Sequence, residues 1–135
     1  MVQKFDQALK FHQTALGLRA FRQQLIASNI ANADTPQFKA KDVDFRSALA
    51  DALAGRGVNA LPVLRTDPRH LAPPQPGAHA AEALYRGEVQ SSVDGNTVNL
   101  DVERAIFAEN TVHYEAGVTF VNGVLRTLQQ AIQGQ

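Results

Sequence analysis

Both ends of this chain carry mostly apolar side chains at alternating steps of three and four residues, and this pattern constrains the fold more than any other feature. Such steps keep successive positions on one face of an α-helix. A helix must bury that face against another surface, so we predict a mainly α fold in which two long terminal helices pack as a coiled-coil-like pair. The N-terminal stripe consists of Ala8, Phe11, Ala15, Leu18, Arg22, Leu25, Asn29 and Asn32; the C-terminal stripe consists of Leu100, Arg104, Phe107, Thr111, Tyr114, Val118, Val121, Leu125, Leu128 and Ile132.

The chain divides into three sections. Residues 1–34 form the N-terminal helix, because Pro36 lacks an amide donor and pushes Thr35 out of the helical region. Residues 35–93 hold a short helix, which Asp42 or Asp44 can cap, and a small irregular insert that contains five of the six prolines. Within it, residues 62–66 and 84–89 could pair as short strands. Residues 94–135 form the C-terminal helix, entered through a turn at Asp94-Gly95-Asn96.

Composition excludes several classes of function. Lys plus Arg and Asp plus Glu balance at 13 each, which argues against nucleic acid or an anionic membrane as a partner. The absence of cysteine excludes disulfides, thiolate metal sites and a cysteine nucleophile. No apolar run resembles a cleaved signal peptide or a membrane span. The basic side chains of the first 33 residues, at positions 4, 10, 19 and 22, are expected to form a solvated face.

No set of residues indicates catalysis. Glu109 and His113 lie one helical turn apart, a spacing found between metal ligands, but no third ligand completes a site. No glycine-rich phosphate loop and no Ser/His/Asp constellation is present. The sequence therefore predicts a protein that is not an enzyme, with no cofactor, no bound metal and no small-molecule substrate. His12 and His113 are expected to be partly buried and hydrogen-bonded beside the stripes.

Asparagines inside the helical patterns are unusual, because asparagine is a poor helix former. Asn29, Asn32 and Asn110 are the three examples. One interpretation places Asn29 and Asn32 at an exposed, frayed helix end. The other is that they hydrogen-bond backbone groups at a packed junction and fix its register, as a polar residue does in a coiled coil.

The segment from Asn29 to Pro36, with Phe38 after it, resembles the signature of flagellar basal-body rod and hook proteins. That signature is an Asn-Ile-Ala-Asn core followed by Thr-Pro-Gly-Tyr. Here Gln37 replaces the glycine, which predicts that this turn needs no positive φ, and Phe38 keeps the aromatic ring. The runs at residues 11–19, 42–45, 94–101 and 103–114 resemble proximal rod proteins of the same family. The motif residues that the resemblance singles out are Asn29, Ile30, Ala31, Asn32, Thr35, Pro36 and Phe38.

The resemblance implies a structural role. Rod proteins leave the cytoplasm through the flagellar export apparatus without a cleaved signal, and they polymerise in the periplasm into the drive shaft of the basal body. Expected partners are copies of the chain, other rod subunits, a FliE-type base protein and the export apparatus. Each helix would then bury its stripe against neighbouring subunits. The expected assembly seam is Phe11, Leu18, Leu25, Phe107, Tyr114, Val118, Val121, Leu125, Leu128 and Ile132.

Two alternatives remain at this stage. A different rod protein such as FlgC would share the motif and the terminal helices. A free-standing helical adaptor or chaperone would share the stripes but would fold cooperatively as an isolated monomer.

Overall fold

A computed structural model describes residues 2–54, 83–87 and 92–134. Helix α1 spans Val2–Ala31, strand β1 Lys41–Asp42, helix α2 Phe45–Leu53, strand β2 Leu84–Tyr85 and helix α3 Leu100–Gln133. The predicted fold class is confirmed: the chain is mainly helical, its two long terminal helices pack together, and the region between them contains short strands.

Helices α1 and α3 run antiparallel. Asn29 contacts Glu103 near one end of the pair, and Gln23 donates a hydrogen bond to the Thr111 hydroxyl further along. Toward the other end, Gly117 faces Leu16: a Cβ atom built on Gly117 would lie only 2.9 Å from Leu16 Cδ2. Glycine therefore permits the close approach of the two helices at this level, because any larger residue would push Leu16 away.

Side chains and glycine define the helix ends. Helix α1 ends at Ala31, slightly earlier than the pattern predicted. Asp44, one of the two proposed caps, begins α2 by accepting hydrogen bonds from the Arg46 and Ser47 amides. Asn99 caps α3 in the same way, and α3 ends at Gly134 in the left-handed conformation.

The small sheet joins strand β2 to the segment after the Asn-Ile-Ala-Asn motif. Strand β2 pairs antiparallel with β1, with Lys41 opposite Tyr85 and Asp42 opposite Leu84. The predicted partner of residues 84–89, residues 62–66, lies outside the described residues, and that pairing stays a prediction. The Arg86 amide extends the ladder by donating to the Ala40 carbonyl at 2.9 Å.

The described core is small and unusually polar. Its buried apolar side chains are Leu18, Ile26, Ala40 and Val43. Its buried polar side chains are Asn29, Asn96, Thr97, Glu103 and Asn110. Both sets concentrate where α1, β1 and α3 meet, so hydrogen bonds as well as apolar contacts hold this end of the helix pair. Among the described helices, none is both long and apolar enough to cross a membrane.

Candidate functional site

The Asn-Ile-Ala-Asn motif lies where α1 ends and the chain turns toward β1. Asn29 is 1% exposed. Its side-chain amide donates to the Lys41 carbonyl at 2.8 Å, and its side-chain oxygen accepts from the Lys41 amide at 3.0 Å. A second interaction joins the same amide to the Glu103 carboxylate at 3.2 Å. Asn29 thus acts as an additional strand partner for β1 and ties α1, β1 and α3 together.

The second motif asparagine has a more local role. Asn32 donates to the Ser28 carbonyl at 2.8 Å, and its side-chain oxygen accepts from the Thr35 hydroxyl. These bonds close the last turn of α1, where carbonyl groups lack helical partners. Both asparagines therefore make the backbone hydrogen bonds expected of a junction, and only Asn29 is fully buried. The remaining motif positions Ile30 and Phe38 are partly buried, while Ala31, Thr35 and Pro36 are exposed.

Asn96 connects this turn to the start of α3. Its side-chain amide lies 3.0 Å from the Asn32 carbonyl, 2.7 Å from Ala33 and 2.9 Å from Thr35. Its side-chain oxygen accepts from the Val98 amide, which fixes the orientation of the carboxamide. Asn96, which is itself buried, thus binds the carbonyls of the turn that follows α1 from 61 to 64 residues further along the chain.

Thr97 completes the link between the two halves of the junction. Its hydroxyl accepts from the Ala40 amide at 2.8 Å, and its own amide donates to the Phe38 carbonyl at 3.0 Å. The segment before α3 therefore runs beside the segment after α1 and hydrogen-bonds to it.

Gln37 adopts a left-handed conformation with φ of 60°. The expectation that this turn needs no positive φ is therefore wrong. The turn is retained because the Gln37 amide donates to the Asp94 carbonyl at 2.9 Å. Glycine, which the family signature has at this position, would adopt the same conformation without a steric penalty.

Five polar residues at the centre of the junction form what we call the junction cluster: Arg22, Asn29, Asp42, Arg86 and Glu103. Arg22 holds Asp42 through two hydrogen bonds, of 2.8 and 2.9 Å. Arg86 places its Nη2 atom 2.9 Å from a Glu103 carboxylate oxygen and 3.7 Å from Asp42. Two guanidinium groups and two carboxylates thus alternate between α1, β1, β2 and α3.

The ionisation of Asp42 reflects this environment. Burial by itself would raise the pKa of Asp42, but hydrogen bonds from Arg22 and the Val43 amide, together with the charges of Arg22 and Arg86, hold that pKa below its ordinary value of 3.8. The hydrogen bond to Asp42 in turn raises the pKa of Arg22. The carboxylate form of Asp42 is therefore the form that stabilises the fold.

The basic residues of α1 do not all form the predicted solvated face. Arg22 lies in the junction cluster, and Arg19 stacks on Phe45 of α2, with its guanidinium carbon 3.8 Å from the ring centroid. Asn110 of α3 donates to the Arg19 carbonyl at 3.0 Å and also bonds to Gln23. The prediction fails here because arginine packs its plane against aromatic rings and carboxylates when the tertiary fold provides them.

The predicted assembly seam is mostly open on the isolated subunit. On α1, Leu18 is buried, Leu25 is partly buried and Phe11 is 41% exposed. On α3, the side that contacts α1 carries Glu103, Asn110 and Gly117, each one position before a residue of the C-terminal stripe. The stripe itself therefore points beside α1: Phe107, Tyr114, Val118, Leu125 and Ile132 are exposed, and Val121 and Leu128 are partly buried.

The C-terminal half of α3 also exposes apolar side chains outside the stripe. Phe120 is 65% exposed, and its ring stacks on that of His12 with 6.4 Å between the ring centroids. The His12 ring also makes an edge-to-face contact with Phe11. An open, mainly apolar groove follows on α3 itself, lined by Thr119, Phe120, Gly123, Val124, Thr127 and Leu128. Exposed apolar surface of this extent on a helix is typical of a protein–protein contact.

The described residues contain no cluster of three or more His, Asp or Glu side chains placed to hold a metal ion. Glu109 and His113 lie 3.8 Å apart on the exposed face of α3. Sequence reasoning did not identify Arg86, Asn96, Thr97 and Glu103 as site residues. For Asn96, Thr97 and Glu103 the signal was local, a polar residue before or within the first turn of α3, whereas Arg86 lay inside a predicted strand without any such signal. The partners of all four are distant in sequence.

Known proteins resemble this chain over almost its whole length. A family model described as "Flagella basal body rod protein" matches residues 9–39. "Flagellar basal body rod protein FlgB" of Proteus mirabilis (strain HI4320) is 44% identical over 136 residues, covering 98% of both chains. The proteins of the same name from Cereibacter sphaeroides and Salmonella typhimurium are 45% and 40% identical, and the alignments cover 97–98% and 99% of the chains.

Proposed function

The chain belongs to the FlgB family of flagellar basal body rod proteins, and we propose from this membership how its structure serves the rod. As a family member it is a structural component of the basal body rod. We infer that it acts as a building block of the axial drive shaft rather than as an enzyme, and that it occupies the proximal part of the rod.

The open C-terminal stripe is the observation that carries this proposal. Phe107, Tyr114, Val118 and Leu125 are each more than a third exposed, although all lie on the long helix that packs against α1. A monomer that worked alone would bury such a continuous apolar face or lack it. In a rod, neighbouring subunits would cover it, and each covered leucine or phenylalanine would contribute the part of the about 1.5–3 kcal/mol for full burial that corresponds to its exposed surface.

The expected neighbours follow from the resemblance. We propose that copies of the chain and other rod subunits contact the stripe, that a FliE-type protein lies below, and that the chain passes through the flagellar export apparatus without a cleaved signal. The relatives named FlgB support this family member over the alternative of a FlgC-type rod protein. The adaptor alternative has no comparable support.

We assign the Asn-Ile-Ala-Asn motif a structural role in this scheme. Asn29 and Asn32 would fix the direction in which the chain leaves α1, and thereby the orientation of the helix pair within the rod. The exposed motif residues Thr35 and Pro36 leave a second role open, as a signal read during export. A secretion assay of Asn32→Ala separates the two: exported protein that builds no rod supports the junction, and protein retained in the cytoplasm supports the signal.

The absence of cysteine provides a direct test of the position in the rod. Val112→Cys and Asn122→Cys each place one thiol on the exposed face of α3. In the bacterium that encodes the chain, we expect these variants to restore swimming to a strain without the gene. Bifunctional thiol–amine cross-linkers in purified basal bodies should then join them to rod subunits, which mass spectrometry identifies.

The same experiment separates the alternatives. Cross-links to a FliE-type protein and to proximal rod subunits support the proposed position, whereas cross-links confined to distal subunits contradict it. Absence of the chain from purified basal bodies would favour a free adaptor. Arg46→Cys, on the exposed side of α2, serves as the matched control away from the stripe.

A further inference from the structure

Glu103 is buried between the two long helices with a single close cationic partner among the described residues. Its residue is 1% exposed, and its carboxylate receives Arg86 at 2.9 Å and the Asn29 amide at 3.2 Å. A carboxylate removed from water is strongly unfavourable unless a charge and hydrogen bonds compensate for it. Stable contact between α1 and α3 at this level therefore depends on Arg86.

Arg86 does not belong to either long helix. It follows strand β2, and the structure attaches this strand to the rest of the molecule through a short ladder: the pairs Lys41–Tyr85 and Asp42–Leu84 and the bond from the Arg86 amide to Ala40. The Lys41 ammonium also lies 5.4 Å from the Tyr85 ring centroid. Leu84 and Tyr85 are themselves exposed, so they bury little apolar surface that would hold the strand in place.

The other members of the cluster do not replace Arg86. The guanidinium group of Arg22, on α1, already donates two hydrogen bonds to Asp42 of β1. Asn29 provides a neutral donor that is shared with the Lys41 carbonyl. When β2 leaves, Glu103 keeps one shared amide bond and loses its ion pair.

We propose that strand β2 is a latch for the helix pair. In the docked state Arg86 neutralises Glu103 and permits α3 to close on α1. In the undocked state the uncompensated Glu103 carboxylate opposes this contact. The first turns of α3 then separate from α1, and their amide hydrogens exchange with solvent. Strand β2 thereby controls whether α3 is held in place, and with it the exposed apolar residues of the C-terminal stripe, the first of which is Phe107, one turn after Glu103.

A double-mutant cycle on the full-length chain tests this coupling. The variants are Arg86→Met, Glu103→Gln and the two combined; methionine replaces the unbranched apolar stem of arginine without its guanidinium group, and glutamine keeps the shape of the glutamate. Hydrogen exchange of the amides from Glu103 to Phe107 is measured in an osmolyte that favours the compact state. Arg104→Met is the matched control. Arg104 is exposed, and its one carboxylate partner among the described residues, Asp101, is also exposed and lies 4.0 Å away.

We expect Arg86→Met to speed exchange of these amides at least tenfold and Arg104→Met to change it less than twofold. In the double variant the exchange rates should return to within about threefold of Glu103→Gln alone, because no buried charge remains. Equal effects of Arg86→Met with and without Glu103→Gln would overturn the latch. So would unchanged exchange in Arg86→Met.

Swimming provides a second readout if Arg86→Met does not fold well enough for exchange measurements. Soft-agar motility should then be lost in Arg86→Met and recovered when Glu103→Gln is added. An Arg86→Met strain that Glu103→Gln does not restore would contradict the latch. The motility assay rests on the proposed rod function, whereas the hydrogen-exchange cycle does not depend on it. Failure of the latch can therefore be distinguished from failure of the proposed function.

Discussion

The two ends of the α1–α3 pair differ in which side chains they bury and which they expose. At the junction end, polar side chains are buried and hydrogen-bonded to residues far away in the sequence, as Asn29 is to Glu103 and Asn96 is to Asn32. At the other end apolar side chains such as Phe120 and Ile132 face solvent. The difference teaches that the chain completes only one end of its helix pair by itself. The junction fixes geometry within the subunit, and under the proposed function the open end would provide surface for contacts between subunits.

The largest expected effect lies at the open end. The double substitution Leu125→Asp, Leu128→Asp should abolish rod assembly and swimming while leaving export largely intact. Both side chains are at least partly exposed in the subunit, so the added charges are tolerated until a neighbour buries them, at a cost of several kcal/mol. Motility in soft agar and the amount of exported protein measure the two outcomes.

A matched control places the same charge on the solvent side of the same helix segment. Gln129→Asp, Gln130→Asp should still swim, because both residues are exposed and lie outside the stripe. If the leucine double variant swims as well, the open end does not provide the assembly surface and the contrast between the two ends fails.

The next largest effect concerns the two asparagines of the junction, which we expect to differ in how much they contribute to the free energy of unfolding. Asn29→Ala leaves the Lys41 backbone amide and carbonyl without their side-chain partner and leaves Glu103 with Arg86 alone, and each buried group left unpaired costs roughly 1–3 kcal/mol. Asn32→Ala should lower the free energy of unfolding by less, because its bonds lie in an exposed turn. Urea denaturation followed by circular dichroism measures the order. Gln24→Ala, at an exposed position of α1, should have almost no effect.

Acid should weaken the junction end in particular. A group whose pKa is lowered by folding contributes stability above its unfolded pKa, and this contribution is lost as the pH falls through the folded value. For Asp42, stability should therefore decline as the pH drops through about 3.8 and below. The wild-type chain should lose more stability between pH 5 and pH 2.5 than Asp42→Asn does. Parallel pH dependence in the two chains would show that Asp42 does not contribute to this loss.

The smallest effect is a gain. Gln37→Gly should raise the free energy of unfolding by about 0.5–1 kcal/mol, because glycine adopts the φ of 60° without strain. Gln24→Gly, the same substitution inside α1, should lower it by about 1 kcal/mol. Destabilisation by Gln37→Gly would mean that the glutamine side chain makes a compensating contact.

Sequence patterns predicted the elements better than their contacts. The steps of three and four residues identified both long helices, and Pro36 located the end of the first, because these signals depend on a residue and its immediate neighbours. The sequence left Asp42 and Asp44 as candidate caps of α2, and Asp44 takes that position. Local rules were sufficient for the positions and ends of helices, because neighbouring residues in the sequence determine them.

Contacts between distant segments were the part that patterns missed. The face of α3 that meets α1 carries Glu103 and Asn110, which a search for apolar periodicity passes over. Their burial is possible because Arg19 and Asn29 of α1 and Arg86, which follows β2, provide their partners. The positive φ of Gln37 was missed for the same reason: the bond that holds it goes to Asp94, across the junction.

The pairing of β1 with β2 has a consequence for the length of the chain between them. Because Asp42 lies opposite Leu84, the segment between them begins and ends at adjacent points of the molecule, and its first part, Val43 and α2, packs against α1. The entropy of closing such a loop grows only with the logarithm of its length, by about 0.6 kcal/mol for each doubling. Insertions between α2 and β2 should therefore cost little stability, and the spacing of α1 and α3 should not depend on the length of that stretch.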